Sequence, residues 1–359
     1  MLTITSFEST RKVLCSKDEF GPPSMLEYIE LLEKEANIDF YQLKRYLKSL
    51  LPFMYGDEHL NIRKLVNRYF SVSAVRKWHF KIIGIIESRL AMIEPDRSYD
   101  FIKDVADPLY MDFVEELFGI DLPDREKFIS QVSIATKSVE RMVSISLLVK
   151  LQDTLVDLDK LLSEKKEDGL FSEITNNVDG KLGIDETSSV LLALLIGARV
   201  TTETIAHIVL SYSQIEQEER KKYTSHGWVT EHINDLVRLN ASTNILSKEA
   251  KRDLVIDGCP IAKGQQVLID IPSVNRDPCH YGEQVSLDAI GGEANKTKHL
   301  TFGGGAHICI GAELARDIIR EFIPRLFGRF SSVSCDEKNI SYCDDKIANR
   351  IKTFPVVFN

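Results

Sequence analysis

Apolar residues recur at helical spacing along much of this chain. From Asp57 to about Ile215 they return roughly every third or fourth position, which is the spacing of one helical face. Turns are indicated at 94–96, 121–123 and 176–183, where Pro, Gly, Asp and Asn collect. Helices are therefore predicted over Glu58–Phe70, Ser73–Met92, Phe101–Phe118, Asp124–Glu140, Ser144–Glu167 and, as the longest, Asp185 to about Gln214.

The pattern changes after Arg238. Leu254–Gly258 and Gln266–Asp270 are short apolar runs on either side of a turn, and the tail Arg350–Phe358 is similar, so all three are predicted as strands. The predicted fold class is mainly α with a small β portion (α+β). Residues 1–359 are expected to form a single domain, because no linker or internal repeat divides them.

Composition narrows the classes of function. The net charge of -9 argues against nucleic acid as a partner, although a local basic patch for an acidic electron carrier stays open. The first residues lack the basic and apolar regions of a signal peptide, and the longest apolar run, Val190–Ala198, is too short to cross a bilayer. A soluble cytoplasmic protein without a membrane partner is therefore predicted. The 6 cysteines show no zinc, iron–sulfur or disulfide spacing.

One cysteine stands apart from the others. Cys309 lies in the glycine-rich segment Phe302–Gly311, where a helix is predicted to start at about Ile310. Glycines let the loop bring its amides close to the sulfur and to a flat ligand, and the positive end of the helix favours the thiolate. Cys309 is therefore a candidate metal ligand; the alternative is a glycine turn that holds a buried cysteine.

The segment Phe302–Gly311 resembles the haem-binding loop of the cytochrome P450 family, of the bacterial soluble type with a short N-terminus. The resemblance implies the cytochrome P450 fold, with haem b (iron protoporphyrin IX) between the long central helix and the helix after the cysteine. It implies that Cys309 is the axial thiolate and the iron ligand, in a loop whose Phe302, Gly303 and Gly311 lie at the haem. A thiolate ligand favours O–O cleavage.

Four basic residues match family positions that bind the haem propionates. His59 and Arg63 lie four apart and hence on one helical face, where two donors suit a carboxylate. If this pair is considered alone, a solvated helix that happens to contain a histidine is the commoner explanation. The presence of the Cys309 loop in the same chain makes propionate binding the preferred explanation. His299 matches the second propionate-binding histidine. Lys248 stands where the family has an arginine, and it keeps the charge without the two-pronged geometry.

The pair Asp235 and Arg238 resembles the family's Glu-x-x-Arg helix, with aspartate in place of glutamate. Its usual partner is an arginine, which Arg276 supplies here. Together they imply a buried carboxylate shared by two guanidiniums, a network that supports the loop beneath the haem. The alternative is an ordinary surface pair three residues apart.

The long helix departs from the family, which writes Ala-Gly-x-(Asp/Glu)-Thr-Thr within the stretch that aligns with Leu194–Thr202. Gly197 keeps room for dioxygen beside the haem. Arg199 is assigned to the position of the acid and Val200 to that of the first threonine, so the usual proton relay is absent as written. Thr201 substitutes only if the helix bulges. Arg199 either reaches the substrate pocket or pairs with Glu203, four residues on.

The resemblance implies a haem-dependent oxidoreductase, most simply a monooxygenase acting on a small organic molecule in secondary metabolism. The expected partners are a ferredoxin- or flavodoxin-type electron donor, docking near Lys64 and Arg68, and a substrate that is free or bound to a carrier protein. Two alternatives stay open: a catalyst that uses peroxide or no net redox step (peroxygenase, coupling or isomerisation), and a haem-bearing binding protein without turnover. Segments expected to bound the substrate are the chain before Asp57, Phe128–Leu148, the Gly197 helix and Ala241–Leu246.

Overall fold

The structure is a computed structural model that describes residues 2–16, 18–23, 25–139, 144–178, 180–283, 290, 298–330, 332–345 and 347–359. Its α-helices are α1 (Phe7–Cys15), α2 (Met25–Ala36), α3 (Tyr41–Ser49), α4 (Gly56–Asn67), α5 (Val72–Leu90), α6 (Asp107–Asp112), α7 (Arg125–Ala135), α8 (Ile145–Ser163), α9 (Leu170–Val178), α10 (Ile184–Gln214), α11 (Gln217–Arg220), α12 (His226–Leu239), α13 (Ile271–Val274), α14 (Pro278–Tyr281) and α15 (Ala312–Arg329). Turns of π-helix, Phe101–Ala106 and Phe113–Phe118, flank α6, and 3-10 turns lie at Thr136–Val139, Lys221–Thr224, Gly305–His307 and Glu337–Asn339.

The strands form small sheets. They are β1 (Leu2–Ile4), β2 (Phe20–Gly21), β3 (Ser98–Asp100), β4 (Ile245–Ala250), β5 (Leu254–Ile256), β6 (Cys259–Ile261), β7 (Gln266–Asp270), β8 (Val333–Cys335), β9 (Ser341–Tyr342), β10 (Ile351–Thr353) and β11 (Pro355–Phe358). One sheet has the order β1-β7-β4-β2, with β1 parallel to β7 and the other pairs antiparallel. A second, antiparallel, has the order β3-β11-β8, and β5–β6 and β9–β10 pair separately. The mainly helical class with small sheets is confirmed.

Local sequence signals explain several helix ends. Ser71, Ser144 and Ser225 precede α5, α8 and α12, and the hydroxyl of each accepts the backbone N–H three residues later. Such a cap contributes about 1 kcal/mol to helix stability. The helical stretch 101–118 ends at Gly119, whose φ of 79° lies in the left-handed region that favours glycine. These caps place the helices that surround α10.

The helix α10 is the centre of the fold. It is 31 residues long, and it packs against α3, α6, α8 and α15. Most of its apolar side chains belong to the large hydrophobic core that the helices share. A smaller apolar cluster joins α1 to the sheet that contains β1, β4 and β7. The small cluster therefore attaches the N-terminal segment to the part of the chain that follows α12.

The central helix also bears on the membrane prediction. Within the described residues, α10 is the one helix that is long and apolar enough to cross a membrane, with a mean hydropathy of 1.5 in its most apolar window. However, 61% of that window is buried inside the protein, as in the core helix of a folded domain. The prediction that no segment is long enough to cross a bilayer, which rested on Val190–Ala198, therefore considered too short a segment. The apolar pattern of α10 continues beyond that run.

The predicted elements differ from the observed ones mainly at their ends. The pattern starting at Asp124 gives α7 and a short 3-10 turn, and its predicted end, Glu140, lies outside the described residues. The helix after Cys309 begins at Ala312 and not at Ile310. The chain before Asp57 holds α2 and α3, which the pattern did not predict.

The tail is the clearest correction to the predicted elements. It forms two strands in different sheets, β10 against β9 and β11 between β3 and β8. The strands separate at Phe354, a fully buried residue whose N–H is 3.2 Å from a carboxylate oxygen of Asp100. Pro355 follows and has no N–H to donate to a sheet. An apolar run alone does not reveal this change of partner.

Candidate functional site

The cysteine loop is held in shape by its glycines and one backbone bond. Gly303 and Gly305 have φ values of 70° and 62°, which other residues rarely adopt. The N–H of Cys309 donates to the carbonyl of Phe302 at 2.7 Å and so closes the loop. Gly311 then caps α15, and a Cβ added there would meet nothing within 4 Å. The loop therefore presents Cys309 just before the N-terminus of an 18-residue helix.

The loop is also packed from outside by α1. A Cβ built on Gly305 would collide with the carbonyl oxygen of Leu14, and one on Gly304 would lie 3.3 Å from the Leu14 side chain. On the other side, the guanidinium of Arg316 lies 4.7 Å from the ring centre of Phe302. The glycines at these positions thus allow close approach of α1 as well as the turn itself.

Cys309 is an exposed residue of this loop. Burial by the surrounding protein raises the pKa of this thiol. The backbone hydrogen bond from Gly311 and the positive charges of Arg63 and Arg316 act in the opposite direction. A positive ion bound at the sulfur would favour the thiolate further.

Three of the predicted propionate-binding residues gather beside the loop. The His59 ring stacks on His307 with centroids 4.2 Å apart, and the Nε2 of His307 lies 3.0 Å from the carbonyl of Met54. Arg63 donates to the carbonyl of Ile308. Lys248 projects from β4, where it pairs with a residue of β7, and its charge acts on both His59 and His307.

These basic groups are short of acceptors. Among the described residues, Nε2 of His59 and both ring nitrogens of His299 are buried without a hydrogen-bond partner. Burial, followed by the charge of His307, lowers the pKa of His59 to about 4. Burial, followed by the charge of Arg316, lowers that of His299 to about 3. Burial, followed by Lys251, lowers the pKa of Lys248 to about 8.

Such a group of basic side chains is suited to an anionic ligand. Buried polar atoms normally have partners, so each unpaired nitrogen indicates a missing acceptor. Carboxylates at this position would also reverse the pKa shifts, because an opposite charge favours the protonated form. The residues present therefore fit the two propionates of a haem whose iron binds Cys309.

The middle of α10 exposes one face. Gly197 is exposed, and a Cβ there would meet nothing within 4 Å; Val200 is 38% exposed and Thr201 is half-buried. Gly197 and Thr201 are four residues apart in an uninterrupted α-helix and so share this face. The predicted need for a bulge is therefore wrong. Val200 and Thr201 therefore both reach this face of a regular helix.

Arg199 lies on a different side of α10. It is only 8% exposed, and its guanidinium donates to Ser133 and, at 3.0 Å, to a carboxylate oxygen of Asp107. Its Nε is 3.8 Å from a carboxylate oxygen of Glu203. Of the two sequence interpretations, the pairing with Glu203 is the one observed. The salt bridge to Asp107 was not predicted, because nothing in the sequence joins residues 92 positions apart.

Arg199 and Glu203 line a cavity of about 230 Å3 behind α10, here called the rear cavity. Arg350 and Asp107 also line it. Burial raises the pKa of Glu203 to about 7, although Arg199 and Arg350 act to lower it. The cavity is lined by apolar residues such as Ile102 and Ile351 as well as by these charged ones, and neither Gly197 nor Thr201 lines it. Sequence reasoning missed it, apart from the spacing of Arg199 and Glu203.

The predicted support network is present with a different partner. Arg238 is 1% exposed, and its Nε and NH2 atoms both lie 2.8 Å from one carboxylate oxygen of Asp235. It also donates to the carbonyl of Asn275 at 2.7 Å. The side chain of Asn275 in turn donates to Thr301 at 2.8 Å, next to the cysteine loop. Arg276 donates to the carbonyls of Leu239 and Pro272, which corrects the predicted sharing of Asp235 by two guanidiniums.

Comparison with known proteins agrees with this geometry. The cytochrome P450 family model matches residues 228–358. The chain is 26% identical over 296 residues to the polyketide biosynthesis cytochrome P450 PksS of Bacillus subtilis (strain 168), covering 81% of this chain and 71% of that protein. It is 25% identical over 334 residues to the methyl-branched lipid omega-hydroxylase of Mycobacterium tuberculosis (strain ATCC 25618 / H37Rv), covering 89% and 76%.

A solved structure extends the likeness to the whole fold. P450BioI, in complex with hexadec-9Z-enoic acid ligated acyl carrier protein, superposes with a TM-score of 0.86 at 21% identity, covering 99% of this chain and 92% of that one. The matched segment 228–358 contains the Asp235–Arg238 pair and the Cys309 loop, and the relatives carry the match into the N-terminal helices. Over residues 228–358 the chain therefore matches the cytochrome P450 family, and the curated relatives and solved cytochrome P450 structures extend that similarity to most of its length.

Proposed function

We propose that this chain is a haem-thiolate monooxygenase in which Cys309 is the axial ligand of haem b. The observation that carries the proposal is that the Cys309 thiol occurs together with buried basic side chains that have no hydrogen-bond acceptor, chiefly His59 and His299. When bound, a haem with a thiolate ligand supplies the electron-transfer and dioxygen chemistry of the reaction. Residues of the chain would orient the cofactor, deliver protons and contact the substrate.

The basic residues would fix the orientation of the cofactor. His59, Arg63, Lys248 and His299 would donate to its propionates, while Phe302, Gly303 and Gly311 shape the loop around the cysteine. Lysine at 248 contributes charge without a bidentate hydrogen bond, so positioning relies more on the two histidines. For binding and orienting the cofactor, we therefore expect Cys309 to matter most and the two histidines to come next.

Proton delivery would use Thr201. Its hydroxyl lies on the same face of α10 as the open space at Gly197, where it can hold a water or donate a hydrogen bond. Val200, also on this face, supplies apolar surface that substrate can contact. Arg199 is held by Asp107 and Glu203, so no substrate contact is assigned to it.

The descriptions of the relatives support a class of substrate. One relative is described as a polyketide biosynthesis enzyme and another as a lipid hydroxylase, and a structural neighbour holds an acyl carrier protein. We therefore expect a small or medium organic substrate of secondary metabolism, free or carried as an acyl thioester. Electrons would come from a ferredoxin- or flavodoxin-type donor in the cytoplasm.

Carbon monoxide binding to the reduced protein tests the proposal. The purified chain should contain one haem and show the strongly red-shifted Soret band of thiolate ligation. Cys309→Ala should abolish that band, whereas Cys279→Ala, which removes another exposed thiol, should leave it unchanged. A wild-type spectrum typical of histidine ligation would contradict the assignment of Cys309.

A further inference from the structure

We propose that His79, His226, Asp317 and Glu321 form a binding site for one divalent transition-metal ion, with Zn2+ as the best match. The site joins three helices: His79 comes from α5, His226 begins α12, and the two acids lie on α15. It contains none of the residues assigned above to haem or substrate. The proposal is therefore independent of the proposed function.

The donor atoms of these residues converge. Nδ1 of His79 is 3.1 Å from Oδ2 of Asp317, and its Nε2 is 3.9 Å from Oε1 of Glu321. Nε2 of His226 is 2.8 Å from the same Glu321 oxygen. One donor atom from each of His79, Asp317 and Glu321 lies within 4.8 Å of the others. Asp317 and Glu321 are one helical turn apart, so α15 presents both carboxylates on one face.

The second oxygen of each carboxylate is occupied, which leaves the first free to bind an ion. Oδ1 of Asp317 accepts from Arg320 at 3.0 Å, and Oε2 of Glu321 accepts from Arg325. Hydrogen bonds of this kind orient carboxylate ligands in metal sites. Arg325 is shared with Glu87 at 2.9 Å, and Arg320 approaches Glu313 at 3.9 Å, so neither arginine neutralises its ligand carboxylate alone.

Burial and access also suit an ion. The carboxylate side chains are 10% and 3% exposed for Asp317 and Glu321, whereas the His79 and His226 side chains are 33% and 52% exposed. The acids are thus fixed, and the histidines can rotate over an ion that enters from solvent. Zinc binds nitrogen and oxygen ligands at roughly 2.0–2.2 Å in a tetrahedron, so its donor atoms lie about 3.4 Å from one another. The contacts of 2.8, 3.1 and 3.9 Å within the cluster bracket that spacing. Two imidazoles and two carboxylates provide the four ligands of a tetrahedral site.

Titration of the full-length chain with zinc chloride tests this site. The protein is used as purified, without an affinity tag, after treatment with a chelator and after alkylation of its accessible thiols. Calorimetry should show one zinc ion bound per chain. Zinc should also raise the midpoint of thermal unfolding, because it binds the folded state selectively.

Substitutions decide whether these residues are the ligands. His79→Ala and His226→Ala should each weaken zinc binding at least about tenfold and abolish the thermal shift. His280→Ala removes an exposed histidine outside the cluster and should bind zinc like the parent. Absence of binding by the parent, or unchanged affinity in His79→Ala, would show that the cluster is a set of hydrogen bonds only.

Discussion

At the scale of single residues, environment gives similar side chains different roles. Glu203 and Asp317 are both largely buried acids on helices, but Glu203 lines a cavity and has no hydrogen-bond donor within 3.5 Å among the described residues, whereas Asp317 bonds to Arg320 and to His79. Cys309 likewise differs from Cys279 through its loop. A residue's neighbours in space, not its type, decide whether it is available for chemistry.

Glu203 predicts a specific dependence of stability on pH. Its pKa is about 7 in the folded protein against an ordinary value of 4.5, so the folded state binds the proton more tightly. Its stabilising contribution is complete below pH 4.5 and is lost as the pH rises through 7. At about 1.4 kcal/mol per pKa unit, the loss approaches roughly 3 kcal/mol.

The substitution Glu203→Gln removes this titration. Relative to the parent, its midpoint of thermal unfolding should be higher at pH 8 than at pH 5. Glu218→Gln, an exposed acid on α11, should show no such difference. Equal effects of Glu203→Gln at both pH values would mean that the carboxylate is charged throughout this range.

At the scale of elements, the register of α10 matters most. A regular helix places Gly197 and Thr201 on one face and turns Arg199 towards Asp107 and Ser133. Two residues of rotation, about 200°, separate Thr201, for which we propose a role in proton delivery, from Arg199, which forms a structural salt bridge. Under the proposed function, the helix would therefore serve catalysis and packing with residues two positions apart.

Thr201→Val should uncouple electron consumption from product formation. The hydroxyl that positions a proton is lost while shape is nearly kept, so product per electron should fall by up to about a hundredfold. Spin-state titration should show little change in substrate binding. Turnover with hydrogen peroxide should be retained, because peroxide arrives already reduced and protonated.

A neighbouring threonine provides the control. Thr202 is 2% exposed, and its hydroxyl donates to the carbonyl of Arg199 at 3.0 Å. Thr202→Val should leave coupling near that of the parent. Uncoupling by Thr202→Val and not by Thr201→Val would reverse the assigned faces of α10.

At the scale of the whole molecule, a buried network joins α12 to the cysteine loop. It runs from Asp235 through Arg238 to Asn275 and then to Thr301. Removal of Arg238 leaves Asp235 without that partner, at a cost of about 3–5 kcal/mol, a large part of the stability of a typical domain. Arg238→Ala should therefore give insoluble protein or protein without haem.

The correction at Arg276 makes this prediction sharper. Arg276 donates to backbone carbonyls, so Arg276→Ala should cost less, about 1–3 kcal/mol, and remain soluble. Soluble yield and the midpoint of thermal unfolding measure both variants. If Arg276→Ala is as damaging as Arg238→Ala, the two arginines share one buried carboxylate after all.

The sequence by itself determined the helical class, the Cys309 loop and the identities of the basic residues near it. Those features are local: helical periodicity, glycines that permit one backbone shape, and residues at short spacing. Asp235 and Arg238 were recognised by their resemblance to the family's Glu-x-x-Arg helix, and one helical turn brings them together. Gly197 was assigned by the same resemblance, as the small residue that leaves room for dioxygen.

Only the tertiary structure decided which distant groups meet. The salt bridge of Arg199 with Asp107, the rear cavity around Glu203 and the cluster of His79 with Asp317 and Glu321 join residues far apart in the chain. These contacts depend on how the helices pack and on how each helix is rotated about its axis. Helical periodicity predicts which face of a helix is buried, but it does not predict which residues that face meets. The division of the tail into β10 and β11 has the same cause, because strand pairing is a property of the partners and not of one run of residues.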